Sequence, residues 1–161
     1  MRQEEFERLY EEHAQGLLAF LAYRTGDRVL AEDLLADTFE RVLRARRRFD
    51  PRKGSRKTWI YSIALNLLRD QIRRREAEGR AVERVAEPAP SGAGSIQRVA
   101  ERDELVRALA ELSEEEREAI ALRYGGDLTV PEIARLQGEK LSTVEGRVYR
   151  GLRKLRELLG E

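Results

Sequence analysis

Between residues 113 and 145 the chain three times sets Ser or Thr three places before Glu: Ser113-Glu114-Glu115-Glu116, Thr129-Val130-Pro131-Glu132 and Ser142-Thr143-Val144-Glu145. In this pattern the cap hydroxyl accepts from the third backbone N–H while the glutamate reaches back to the cap amide, so each occurrence predicts a helix start. Pro131 falls in the first turn of the second, where its missing N–H would have had no helical partner anyway. Starts this close together leave room only for short helices. One is expected from about Val130 to Gln137, stopping at Gly138, a residue suited to the left-handed conformation at a helix C-terminus. The next opens at Ser142, and short helix, tight glycine turn, longer helix is the helix-turn-helix layout.

The last helix has two distinct sides. Val144, Val148, Leu152, Leu155 and Leu159 follow helical spacing and form the expected buried side, while Thr143, Arg147, Arg150 and Lys154 line up as a basic face. Such a helix fits a major groove, with its first turns near base edges and its later ones near phosphate. Glu145 at its front is accounted for locally, as the carboxylate of the third capping box near the positive end of the helix dipole. A solvated amphipathic helix would show the same spacing.

The first half is helical as well. Phe6, Leu9, Tyr10, Leu17 and Leu21 keep helical spacing, and so do Leu30, Leu34, Phe39, Val42 and Leu43 after a break at Gly26-Asp27; these are the expected core, with His13 on the apolar side of the first helix. A third helix is expected from a cap at Ser55 to about Glu78, with Ile60, Ile63, Leu67 and Ile72 as its apolar side. Another side of it carries Ser62, Asn66, Arg69 and Arg73, a polar-to-basic stripe suited to a strand of nucleic acid. Trp59 and Tyr61 at its start suit either stacking on unpaired bases or packing in the core.

Between the halves, residues 86–95 read AEPAPSGAGS, the composition of a flexible linker. The expected organisation is therefore all-α: a helical domain at 1–78, a linker at 79–95 and a helix-turn-helix domain at 96–161. Net charge is only +1, but it is unevenly placed. Residues 44–57, RARRRFDPRKGSRK, hold eight basic side chains against Asp50, residues 146–156 hold five against none, and residues 76–118 hold twelve acidic to six basic. A solvated helix surface explains either basic cluster alone; two around an acidic middle point to nucleic acid.

Other classes of function find little support. The chain has no cysteine and hence neither disulfides nor thiolate chemistry, and His13 is its only histidine. No glycine-rich phosphate loop, H-E-x-x-H or metal-ligand spacing occurs, so no catalytic, metal or cofactor residues are expected. No run approaches the roughly 20 apolar residues of a membrane span, and the N-terminus lacks a secretion-signal pattern, which together suggest a cytoplasmic protein.

In order and motif the chain resembles the extracytoplasmic-function group of bacterial RNA polymerase sigma factors. LYEEHAQGLLAFLAYRTGD and AEDLLADTFERVLRARRRFDPRKGSRKTWIYSIALNLLRDQIRRR are similar to that group's region 2, and LSEEEREAIALRYGGDLTVPEIARLQGEKLSTVEGRVYRGLRKLREL to its region 4. The resemblance implies a non-enzymatic transcription initiation factor that brings core polymerase to promoters. It implies contact with a coiled coil of the largest polymerase subunit through Asp33, Asp37, Thr38, Glu40 and Arg41, and names the polymerase flap as a further partner. It implies capture and melting of the minus-ten element by Phe49, Asp50, Arg52, Lys53, Ser55, Arg56, Trp59, Tyr61, Ser62, Asn66, Arg69 and Arg73. For the duplex minus-thirty-five element it implies Thr129, Ser142, Thr143, Gly146, Arg147, Arg150 and Lys154. An anti-sigma protein is a further implied partner. The pattern departs from the group's usual one at Ala36, at Arg56, where an aromatic residue is common, and at Gln137 and Glu139-Lys140 in the turn. A stand-alone helix-turn-helix regulator is the alternative, and a purely protein-binding helical adaptor a third reading.

Overall fold

The computed structural model describes residues 2–79 and 96–160, with only the helical backbone for residues 96–101. The linker expected at 79–95 thus lies outside the described residues, apart from Gly79. All regular structure among the described residues is helical. Helix α1 (Gln3–Thr25) ends where Gly26 turns left-handed at φ 69° and donates its N–H to the Ala22 carbonyl. Asp27 then caps α2 (Arg28–Arg44), its carboxylate accepting from the Leu30 N–H at 3.1 Å. After a single 3-10 turn at Arg46–Arg48 and the basic loop, α3 (Arg56–Gly79) begins as expected, with the Ser55 hydroxyl accepting the Thr58 N–H.

In the second half follow α4 (Ile96–Ala110), α5 (Glu114–Ile120), α6 (Val130–Gln137) and α7 (Leu141–Leu158). Two of the three expected capping boxes form with both hydrogen bonds, at Ser113–Glu116 and at Thr129–Glu132, and Gly138 adopts the left-handed conformation at φ 67°. The third does not. Helix α7 is capped two residues earlier than expected, at Lys140 and with no side-chain capping bond, because the Lys140 carbonyl already accepts from the Thr143 and Val144 amides. Ser142 is thereby drawn inside the helix, and Glu145 sits two residues too deep to reach the cap amide.

Packing confirms the expected core with local corrections. Leu17, Phe20 and Leu21 of α1 are fully buried, as are Ile60, Leu65 and Leu68 of α3, and each such side chain contributes about 1.5–3 kcal/mol relative to leaving it in water. Tyr10 and Leu43, expected inside, are exposed; the Tyr10 ring nonetheless meets Phe39 edge-on at 4.9 Å. The buried side of α3 is Ile60, Tyr61, Ala64, Leu65 and Leu68, whereas Ile63, Leu67 and Ile72 are only partly covered. Helix α3 packs chiefly on α2. The α5 helix runs into one π-helical turn, Ala121–Gly125, that lies against α1, and the following Gly126 meets Tyr61 at the start of α3.

That close approach depends on glycine. A Cβ added at Gly125 would stand 2.9 Å from the Phe20 backbone nitrogen, and one at Gly126 would stand 2.9 Å from the Tyr61 ring and hydroxyl. The Tyr61 hydroxyl donates to the Gly126 carbonyl at 3.4 Å, and its ring packs beside Phe20 at 5.8 Å. Burial, helped by the charge of Asp127, pushes the Tyr61 hydroxyl well above the ordinary tyrosine pKa. The two helical domains therefore share one apolar core.

Candidate nucleic-acid interface

The basic loop between α2 and α3 is a folded platform. The Asp50 carboxylate accepts the Arg52 N–H and its carbonyl accepts the Lys53 N–H, which leaves the Arg52 side chain projecting into solvent. Phe49 packs on Trp59 with ring centroids 5.2 Å apart, and the Arg56 guanidinium lies over the Phe49 ring at 5.5 Å. Arg56 thus does by cation–π contact what an aromatic residue would do at that place, while its other side approaches Glu5 at 3.7 Å. Trp59 is half-buried, so part of its face is available for stacking.

Along α3, Ser62 is half-buried with its hydroxyl bound to the Trp59 carbonyl at 2.6 Å, and Asn66, Arg69 and Arg73 are exposed in line with it. Loop and stripe are continuous, as the spacing suggested. Tyr61 is not part of them. At 1% exposure it belongs to the core, because its hydroxyl finds a carbonyl and its ring finds Phe20, and it has no face to offer a base. Thr38 is corrected for a similar reason: it is fully buried, with its hydroxyl donating to the Leu34 carbonyl at 2.6 Å, so it cannot touch a partner protein. Asp33, Asp37, Glu40 and Arg41 share the exposed side of α2, with Glu40 paired to Arg44.

In the helix-turn-helix unit α6 packs against α7, while α7 rests on α5 through Val144, Val148, Gly151 and Leu155. Gly151 is required there: an added Cβ would lie 2.7 Å from Ile120. The expected basic face exists but is not free. Arg147, its side chain 18% exposed, pairs with Glu139 at 3.5 Å, while Lys154 and Arg150 reach Glu116 at 2.7 and 3.7 Å. Burial alone would push the Glu116 carboxyl up; the Lys154 hydrogen bond and the two from Ser113 outweigh it, with the Lys154 charge adding to them, and hold it below the ordinary range. Thr129 is exposed but committed to its capping box.

The outermost side of α7 carries Ser142, Glu145, Tyr149 and Arg153 together with Arg150. Tyr149, 69% exposed, is the most exposed large apolar residue among those described, and the sequence reading passed over it. Its signal was legible: it lies seven residues after Ser142 and four before Arg153, opposite the Val144–Val148–Leu155 side.

His13, half-buried on α1, is 3.7 Å from Glu12; its pKa is lowered by burial, against the pull of Glu12 and with the help of Lys57. Among the described residues no group of three or more Asp, Glu or His is placed to hold a metal ion, and no helix is long and apolar enough to cross a membrane.

An all-helical pair of domains, one with an arginine-rich aromatic platform and one with a helix-turn-helix, defines a class of DNA-recognition factor. Comparison with known proteins makes it specific: residues 9–78 match the family described as Sigma-70 region 2, and residues 102–155 the family described as Sigma-70, region 4. RNA polymerase sigma factor CarQ of Myxococcus xanthus is 39% identical over 162 aligned positions, covering 99% of this chain and 91% of that protein. Among solved structures, the sigma factor RpoE in complex with the anti-sigma factor NepR from Bartonella quintana superposes with a TM-score of 0.79 at 27% identity, covering 98% of each chain. CnrH in complex with the cytosolic domain of CnrY gives 0.76 at 26% identity, covering 99% of this chain and 90% of that one. The chain belongs to the extracytoplasmic-function group of bacterial RNA polymerase sigma factors. It is an alternative sigma factor acting in transcription initiation.

Proposed function

We propose a division of labour in which this chain supplies sequence recognition and the polymerase supplies all covalent chemistry. Residues 1–78 and 96–161 are the two working units. The exposed side of α2, carrying Asp33, Asp37, Glu40 and Arg41, docks on the largest polymerase subunit, and the helix-turn-helix unit engages the flap and the upstream duplex element. The loop and the Ser62–Asn66–Arg69–Arg73 stripe hold the minus-ten strand, so that stacking at about 1–3 kcal/mol per base offsets the few kcal/mol needed to unpair it. On α7, Arg147, Arg150 and Lys154 approach the backbone, and Ser142, Thr143, Gly146 and Tyr149 approach base edges. The site of action is the cytoplasm, alongside polymerase.

The observation that carries this reading is the pairing of two unlike basic surfaces. One adjoins half-exposed aromatic rings suited to single strands, and the other lies on a helix shaped for a duplex groove. A stand-alone regulator needs only the second. RpoE was solved with the anti-sigma factor NepR, which supports an anti-sigma protein as a partner here too. Run-off transcription with purified core polymerase on genomic fragments tests the proposal. Discrete new transcripts sharing two upstream elements are expected; duplex binding by the chain alone at a palindrome, without transcripts, would replace it with the regulator.

A further inference from the structure

One acid on α7 has no partner within the protein. Among the described residues, the cations between 147 and 154 all have carboxylate partners: Arg147 with Glu139, Arg150 and Lys154 with Glu116, and Arg153 with Glu157 at 3.6 Å. Glu145 has neither an ion pair nor a hydrogen bond among them. Its helical neighbours three and four places away, Leu141, Ser142, Val148 and Tyr149, carry no charge, and the capping box that would have occupied it does not form. The carboxylate is therefore exposed and uncommitted in the first turns of the helix shaped for a duplex groove. On either side along the helix stand Leu141 and Tyr149, 46% and 69% exposed.

An ionised carboxylate accepts hydrogen bonds and donates none. In the major groove guanine offers N7 and O6 and thymine O4, all acceptors, and the adenine N6 donor sits beside the N7 acceptor. Only cytosine presents a donor, N4, with no acceptor on the same base edge. When α7 docks, Leu141 and Tyr149 displace water from both sides of Glu145, and a desolvated charge without a donor is costly. The other bases are thereby penalised rather than merely left uncontacted.

We propose that Glu145 is a specificity-determining residue for the upstream element, accepting the N4 amino group of one cytosine in the major groove. It selects chiefly by excluding the other bases at that position, while Arg147, Arg150 and Lys154 set affinity. The proposal rests on the reading of α7 as the helix that enters the upstream duplex.

Holoenzyme assembled from core polymerase and the full chain is presented with duplex promoter fragments recovered from run-off transcription, randomised one upstream position at a time, and the bound fraction is sequenced. For the wild-type chain, one position is expected to hold cytosine with a preference of about tenfold, within what one good base contact supplies. Glu145→Ala is expected to flatten that position and no other. Glu145→Gln should shift it to adenine, whose N6 and N7 a glutamine amide matches. A loss spread evenly over all positions is a structural effect and overturns the proposal. So does an unchanged base profile, or tighter binding by Glu145→Ala with no change in preference. Arg147→Ala separates this from the underlying reading. If it weakens upstream binding while Glu145→Ala leaves the profile intact, only Glu145 loses its role; if neither variant alters upstream binding, α7 is not the reading helix and the proposal falls with it.

Discussion

Cations on both basic surfaces of this sigma factor are paired with glutamates, but not in the same way. On α7, Arg147, Arg150 and Lys154 are matched by Glu139 and Glu116 of their own domain. On α3, Arg69 is matched by Glu118 of the other domain. The first arrangement travels with the helix-turn-helix wherever it goes and orders the cations before DNA arrives. The second exists only while the domains touch. A charge balance written within one domain is structural, and one written across a joint is conditional.

The difference can be broken or sharpened experimentally. The largest effect is expected from Phe20→Ala, which empties a fully buried site beside both the Tyr61 ring and the Gly125 turn, with a loss of about 3–5 kcal/mol in urea unfolding. If the domains share a core, wild type unfolds in one transition; two separated transitions in the wild-type chain would show that the joint is weak.

Next is Glu116→Gln, which disturbs a capping box and two cation contacts inside one domain and should destabilise by about 1–3 kcal/mol at neutral pH. Since the folded Glu116 carboxyl ionises below its ordinary value of 4.5, its contribution is present above that value and fades as pH falls through the lower folded one. Wild type should accordingly lose its advantage over Glu116→Gln on acidification. Parallel pH–stability curves for the two would contradict this.

Arg147→Ala should weaken footprinting at the upstream promoter element by about 1–2 kcal/mol, roughly tenfold, with no change in single-strand binding. Equal loss on both substrates would mean that the two surfaces are not specialised. The smallest effect is Tyr61→Phe, which deletes one cross-domain hydrogen bond of 3.4 Å and should cost about 0.5–1.5 kcal/mol by thermal denaturation while leaving upstream recognition intact.

Much of the architecture was written locally. Two capping boxes, the Gly26 and Gly138 stops, the Ser55 start of α3 and the helix-turn-helix order all formed as the residues implied, because each depends on side chains within four positions of the backbone groups they satisfy. Local patterns also misled where two of them competed. Ser142-Thr143-Val144-Glu145 has the form of a capping box, but Lys140 begins the helix first. Tyr61 has the look of a stacking residue until its hydroxyl finds Gly126, 65 residues away. Thr38 has the look of a docking residue until its hydroxyl turns back onto its own helix.

By itself the sequence determined the helices, most of their ends, the division into two domains and the two basic stripes, since all of these follow from short-range spacing and hydrogen bonding. Only the tertiary structure decided which face of α3 is inside, which cations on α7 are spoken for, and that an acidic turn from one domain lies on the nucleic-acid stripe of the other. Burial and charge pairing of that kind depend on residues from different elements, up to 94 positions apart for Arg24 and Glu118, and no local periodicity encodes their meeting.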